Sequence, residues 1–142
     1  MKRTKILVVE DNEDIRCILV LQLQRLGEFD IREAATGQAA LDSITRDPPD
    51  ALFLDLTLPG LSGWETARWI RTLPAPLSEL PIIAVTGHAL IGDREKALAA
   101  GCDEYIAKPI LDAREIGEKL QRVLTRGSLT GPAGVAPSRT KK

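Results

Sequence analysis

A doubly wound α/β fold, with helices on both faces of one parallel sheet, is what this sequence predicts. Three observations carry that prediction. Short apolar runs alternate with longer stretches of helical period along the chain. The runs at Lys5–Val9, Ala51–Leu56 and Pro81–Thr86 are nearly continuous, as strands covered on both faces are. Five strand–helix units fit into about 125 residues, too few for an eight-stranded barrel.

Each element has its own signal. Lys5–Val9 opens the sheet. The helix after it carries Ile15, Ile18, Leu19, Gln22 and Leu26 as a mostly apolar stripe, and Gly27 stops it. Phe29–Ala34 alternates apolar and charged residues, which suits a half-exposed edge strand. Gln38–Arg46 sets Leu41 and Ile44 on one helical face, and Ala51–Leu56 is the third strand. Trp64–Leu73 has Ala67 and Ile70 at helical offsets, ahead of the fourth strand at Pro81–Thr86. Asp93–Ala100 is rich in helix formers and ends at Gly101, a C′ residue. Glu104–Ala107 is a short fifth strand. Asp112–Leu124 opens with the capping-box-like pair Asp112 and Glu115, then runs Ile116, Leu120, Val123 and Leu124. Two doubly wound strand orders are compatible with this alternation, and both bind ligands at the carboxyl edge of the sheet.

From Gly127 the character changes to GSLTGPAGVAPSRTKK, rich in Gly, Pro, Ser and Thr and without period. The expected division is a folded domain over 1–125 and a disordered basic tail over 126–142. All acidic residues fall before the tail, whose charges are Arg126, Arg139, Lys141 and Lys142. No output region is expected after residue 125, and any signal is expected to pass through the domain's own surface.

Composition narrows the function. The 142 residues are 44% hydrophobic and 27% charged, the profile of a soluble globular protein. Nineteen Lys and Arg against 20 Asp and Glu leave a net charge of -1, so no nucleic-acid partner is expected. The single histidine, His88, and the distant cysteines Cys17 and Cys102 exclude Cys/His zinc patterns, HExxH sites and CxxC redox pairs. Both cysteines read as buried thiols in a reducing compartment. The apolar run after the basic N-terminus stops at Glu10-Asp11, too short for a signal peptide, and no stretch is long enough to span a membrane. A cytoplasmic location without membrane contact is expected. Neither GxxxxGK[ST] nor GxGxxG occurs, so nucleotide binding finds no support.

The polar residues just past the strand ends are the functional candidates. Glu10 and Asp11 follow the first strand, Asp55 ends the third, Thr86 the fourth, and Lys108-Pro109 follows the fifth. On a parallel sheet all of them project from one edge. Taken singly, Asp11 reads as a helix-start acid, Thr86 as an ordinary strand residue and Lys-Pro as a strand stop. Taken together, three crowded carboxylates call for a divalent cation, and oxygen-only ligands favour a hard ion such as Mg²⁺. Asp55, inside the apolar run ALFLDL, needs that cation or Lys108 as counter-charge. A carboxylate beside a metal and a lysine suits phosphoryl transfer, with Asp as acceptor.

The motifs ILVVEDNEDIR, LFLDLTLPGLSGWE, PIIAVTGHA and GDREKALAAGCDEYIAKPI stand in this order and spacing. In them the sequence resembles the receiver domain of two-component response regulators, over about residues 5–125. The resemblance implies the flavodoxin-like strand order 2-1-3-4-5. It implies that Asp55 is the phosphoacceptor, taking its phosphoryl group from a histidine on a sensor kinase or a histidine phosphotransfer protein. Asp11, Asp55 and the backbone carbonyl of Thr57 would hold Mg²⁺, with Glu10 acting through a metal-bound water. Lys108 and Thr86 would bind the phosphoryl oxygens, and Thr86 and Tyr105 would form the switch. Gly63, a turn glycine near Asp55, and Pro109, after a cis peptide, would be structural at the site.

The same resemblance implies a single-domain switch rather than an enzyme in the usual sense. It would dock a downstream protein on the face of helix four, strand five and helix five, as a monomer or a phosphorylation-linked dimer. The sequence departs from the commonest pattern at Glu10 for Asp, Leu58 for Met and Gly87 for Ala, and Thr57 and His88 hold the positions that modulate aspartyl-phosphate lifetime. The alternative is a phosphorylation-independent pseudo-receiver, but such modules usually lose the acceptor, the acidic pair or the lysine, and all are present. A phosphatase with an Asp nucleophile would need a DxD pattern, which Asp55-Leu56-Thr57 lacks.

Overall fold

The structure is a computed structural model that describes residues 3–87, 92–108 and 113–129. The chain runs β1 (Thr4–Val9), α1 (Glu13–Leu26), β2 (Phe29–Ala34), α2 (Gly37–Arg46), β3 (Ala51–Asp55) and α3 (Gly63–Arg71). A 3₁₀ turn at Leu77–Glu79 then leads to β4 (Ile82–Thr86), α4 (Asp93–Ala99), β5 (Glu104–Ala107) and α5 (Ala113–Leu129). The five strands pair in parallel in the order 2-1-3-4-5, the flavodoxin-like arrangement. The half-polar run Phe29–Ala34 is indeed an edge strand, whereas β3 and β4 are buried at every residue.

Strand residues alternate between two cores, as period-two geometry requires. Ile6, Val8, Phe53, Ile83, Val85 and Ile106 face α1 and α5, meeting Leu19, Leu23, Ile116, Leu120 and Val123. Leu7, Val9, Leu52, Leu54, Ile82 and Ala84 face the other way, onto Ala40 and Ile44 of α2, Ala67 and Ile70 of α3 and Ala97 of α4. Helix starts are set by caps: Asn12, Thr36 and Ser62 each accept a backbone N–H, and Ser62 with Glu65 forms a reciprocal capping box. Gly101, at φ 113°, terminates α4, with Cys102 N–H donating to Ala97 O and Gly101 N–H to Leu98 O.

At the amino edge of the sheet, Arg71 ties several elements together. Its guanidinium donates to the carbonyls of Gly101, Ser78 and Leu80 and pairs with Asp103 at 3.1 Å. Asp103 in turn accepts the Ile82 N–H at 2.8 Å, fixing the start of β4.

Three expectations are corrected. The α1 stripe does not run through Ile18 and Leu26, which are 54% and 39% exposed; Leu19 and Leu23 are the buried pair. Apolar residues surround most of this helix, so periodicity alone cannot select a face, and packing on the sheet does. Cys17 is consequently exposed, and only Cys102 is a buried thiol. Helix α5 continues through Leu129, past Gly127. The Lys108-Pro109 peptide, Asp112, His88 and residues 130–142 lie outside the described residues. Among those described, no helix is long and apolar enough to cross a membrane.

Candidate functional site

The sheet topology brings the strand-end residues together at the carboxyl edge. The hydrogen-bond ladder continues just past the strands and holds their ends in place. Glu10 N–H donates to Ala34 O at 3.0 Å, Leu56 N–H to Val85 O at 3.3 Å and Lys108 N–H to Thr86 O at 2.7 Å. Carboxylate oxygens of Glu10, Asp11 and Asp55 all lie within 4.8 Å of one another. Glu10 and Asp55 are buried, each 3% exposed, and Asp11 faces solvent.

The electrostatics of this cluster are uneven. Lys108 Nζ is 2.6 Å from Glu10 Oε1 and 3.6 Å from Asp55 Oδ2. The second Glu10 oxygen accepts the Asn12 N–H at 3.1 Å. Burial raises the Glu10 pKa above the usual carboxylate value, and the charge of Asp55 adds to the rise; the bonds from Lys108 and Asn12 oppose it. On Asp55, Oδ1 accepts both the N–H and the hydroxyl of Thr57, each at 3.1 Å. The Oδ2 atom of Asp55 is the one turned toward Lys108.

Gly63 sets the approach of α3 to this edge. A Cβ there would lie 2.1 Å from the Asp55 carbonyl oxygen and 2.5 Å from Leu56 Cα, so the helix start sits directly on the chain that carries Asp55. Gly63 N–H donates to Leu56 O at 3.2 Å, and Gly60, at φ 70°, turns the connecting loop. Leu58 is buried, and Trp64 packs against the same core.

Thr86 and Tyr105 lie on the two strands beyond β3. Thr86 is buried at the end of β4, next in sequence to Val85, the register partner of Asp55. Tyr105 is half-buried on β5 and packs against the core on the α2–α4 side. Two supporting residues escape the sequence reading. Asn12 caps α1 with its side chain while its N–H holds Glu10, and its N-cap signature was available just before the helix. Arg16 donates to the Glu10 carbonyl at 2.8 Å and to Glu33 at 2.9 Å, contacts that no spacing rule announces.

The donor set fits a hard divalent cation: all three clustered side chains offer carboxylate oxygen, and one is exposed enough to leave coordination positions open to water. With Lys108 alongside, the same edge can stabilise an anionic group placed on Asp55.

Comparisons with known proteins show what the chain is similar to. Residues 6–121 match the response regulator receiver domain family. The chain is 35% identical over 105 residues to the polar-differentiation response regulator DivK of Brucella ovis, covering 74% of this chain and 84% of that protein. It is 36% identical over 126 residues to the probable transcriptional regulator ycf27 of Porphyridium aerugineum, covering 89% of this chain but only 50% of that longer protein. Among solved structures, the receiver domain of sensor histidine kinase PA1611 from Pseudomonas aeruginosa, with magnesium coordinated in its active-site cleft, shares 37% identity at a TM-score of 0.78, over 87% of this chain and 99% of that one. A putative response regulator from Chloroflexus aurantiacus superposes at a TM-score of 0.82 with 32% identity, over 88% of this chain and all of that one.

Proposed function

The chain belongs to the response regulator receiver family, and from that premise we propose that it is a phosphorylation switch whose acceptor is Asp55. The observation that carries this reading is the buried Asp55 carboxylate flanked by Lys108 and by two further acids within 4.8 Å. In this reading a partner phosphohistidine, on a sensor kinase or a histidine phosphotransfer protein, is the donor. An Asp55 oxygen forms the new O–P bond as the N–P bond to the imidazole breaks, and the imidazole leaves with the bonding pair.

Each residue then has a physical task. Asp11, Asp55 and the Thr57 carbonyl would hold Mg²⁺, with Glu10 acting through a water on the ion. When bound, the ion supplies neutralisation of the phosphoryl oxygens. The N–H and hydroxyl of Thr57 fix Asp55 Oδ1, leaving Oδ2 on the Lys108 side. Lys108 pairs with the incoming anionic oxygens, and Thr86, at the end of the adjacent strand, donates its hydroxyl to them. Gly63 keeps α3 close enough to hold the Asp55 backbone still. Tyr105 and Thr86 couple the modified site to the surface of α4, β5 and α5, where a downstream protein docks. Buried Glu104 ties β5 to α5, 3.2 Å from Arg122 and 3.7 Å from Lys119.

Incubation with a small phosphodonor and Mg²⁺ tests the reading. One phosphoryl group, labile to hydroxylamine, is expected on the wild-type chain and none on Asp55→Asn. Absence of label with every donor, or label retained by Asp55→Asn, overturns it.

A further inference from the structure

Lys108 has two carboxylates within reach and binds one of them. At 2.6 Å the contact with Glu10 is a charge-assisted hydrogen bond, whereas the 3.6 Å contact with Asp55 is an ion pair too long to be one. The two partners come from strands that are not neighbours: β3 and β4 lie between β1 and β5. At about 4.8 Å per strand that is a separation of roughly 14 Å at the backbone. Two long side chains bridge it directly past Asp55.

Both oxygens of Glu10 are engaged by this chain, Oε1 with Lys108 and Oε2 with the Asn12 N–H. A carboxylate held in that way cannot turn to a second cation without loosening the first. We propose that Glu10 is the positioning residue for Lys108: it keeps the ammonium off Asp55 until a divalent cation enters, then releases it toward the acceptor. The inference rests on the phosphoacceptor reading and deepens it. Glu10 acts here less as a ligand than as a latch. Release of Lys108 follows from the change of partner by Glu10, so the ammonium becomes available when the site is ready for a phosphoryl group. Until then, Asp55 keeps an ion-pair partner at a distance that does not block its Oδ2 atom.

The test is a double-mutant cycle on Mg²⁺ affinity, measured by calorimetry on the unphosphorylated full chain. Lys108→Gln removes the competitor and is expected to tighten Mg²⁺ binding about tenfold, within the range of coupled neighbours. In a Glu10→Gln background the same substitution is expected to change affinity by less than about threefold. Equal tightening in both backgrounds, or no tightening in the first, overturns the proposal, because the ammonium would then act through its charge alone. A second readout needs no cation. The ¹H–¹⁵N signal of a hydrogen-bonded Lys108 ammonium is expected in the wild-type chain and absent in Glu10→Gln and in Glu10→Ala. Its persistence in both variants refutes the latch. Failure of the broader reading would appear elsewhere, as a wild-type chain that Mg²⁺ and phosphodonor leave unlabelled.

Discussion

Replacing Gly63 by alanine sets two physical effects of opposite sign against each other. Gly63 is the first residue of α3, where helix propensity alone favours alanine by up to about 1 kcal/mol. The added Cβ, however, would stand 2.1 Å from the Asp55 carbonyl oxygen, 2.5 Å from Leu56 Cα and 2.8 Å from the Asp55 carbonyl carbon, against the 3.4 Å at which ordinary contact begins. All three obstacles are backbone, so no side chain can rotate away. The start of α3 must lift from the end of β3, stretching the 3.2 Å bond from Gly63 N–H to Leu56 O and disturbing packing at Ala67 and Ile70.

Overpacking of this kind costs about 1–3 kcal/mol. Three rigid backbone obstacles put the cost at the upper end of that range, about 2–3 kcal/mol, so a net loss of about 1–2 kcal/mol remains after the propensity gain. For a domain of this size that lowers Tm by roughly 3–8 °C. Gly87 is the control: it also lies at the carboxyl edge, but a Cβ there meets nothing within 4 Å among the described residues. Gly87→Ala is expected to stay within about 0.5 kcal/mol of wild type. Urea denaturation followed by circular dichroism gives both numbers, and phosphodonor labelling reports whether Asp55 has moved. A Gly63→Ala variant as stable as wild type and labelled at the same rate refutes the argument that this contact sets the site.

Other consequences are independent of Gly63. Arg71→Ala strands the carbonyls of Gly101, Ser78 and Leu80 and leaves Asp103 without its guanidinium, so a loss of about 2–4 kcal/mol is expected in denaturant titrations. Because Arg71 works at the amino edge, Mg²⁺ affinity of the folded variant should match wild type; a shift there would show that the two edges are coupled. Thiol chemistry separates the two cysteines: burial pushes the Cys102 thiol up to about 12, which leaves a thiolate fraction of ~10⁻⁴ at pH 8, while Cys17 is exposed. A maleimide at that pH should therefore label only Cys17 in the native chain and both after denaturation, read by intact mass. Native labelling of Cys102 would contradict the packing around it.

The chain itself determined its strands, and the reason is local. A strand buried on both faces must be apolar at nearly every position, so Ala51–Asp55 and Ile82–Thr86 declare themselves, and the half-polar Phe29–Ala34 declares itself an edge. Once the elements alternate, right-handed parallel connections force every strand end to one side, which is why Glu10, Asp11, Asp55, Thr86 and Lys108 group at one edge by sequence order alone. Caps such as Asn12 and Ser62 are equally local, since each acts on N–H groups within its own first turn.

Other features were decided only when the elements packed. Helix α1 carries apolar residues on most sides, and contact with the sheet selected Leu19 and Leu23 over Ile18, exposing Cys17 as a result. The clash that makes Gly63 necessary depends on how closely α3 approaches β3, a distance no pattern encodes. Which acid holds Lys108 is a matter of a single ångström across three strand spacings. Residue types and periodicity specify what can meet at an edge. The lengths of Glu10 and Lys108, measured across a folded sheet, decide which of those residues touch.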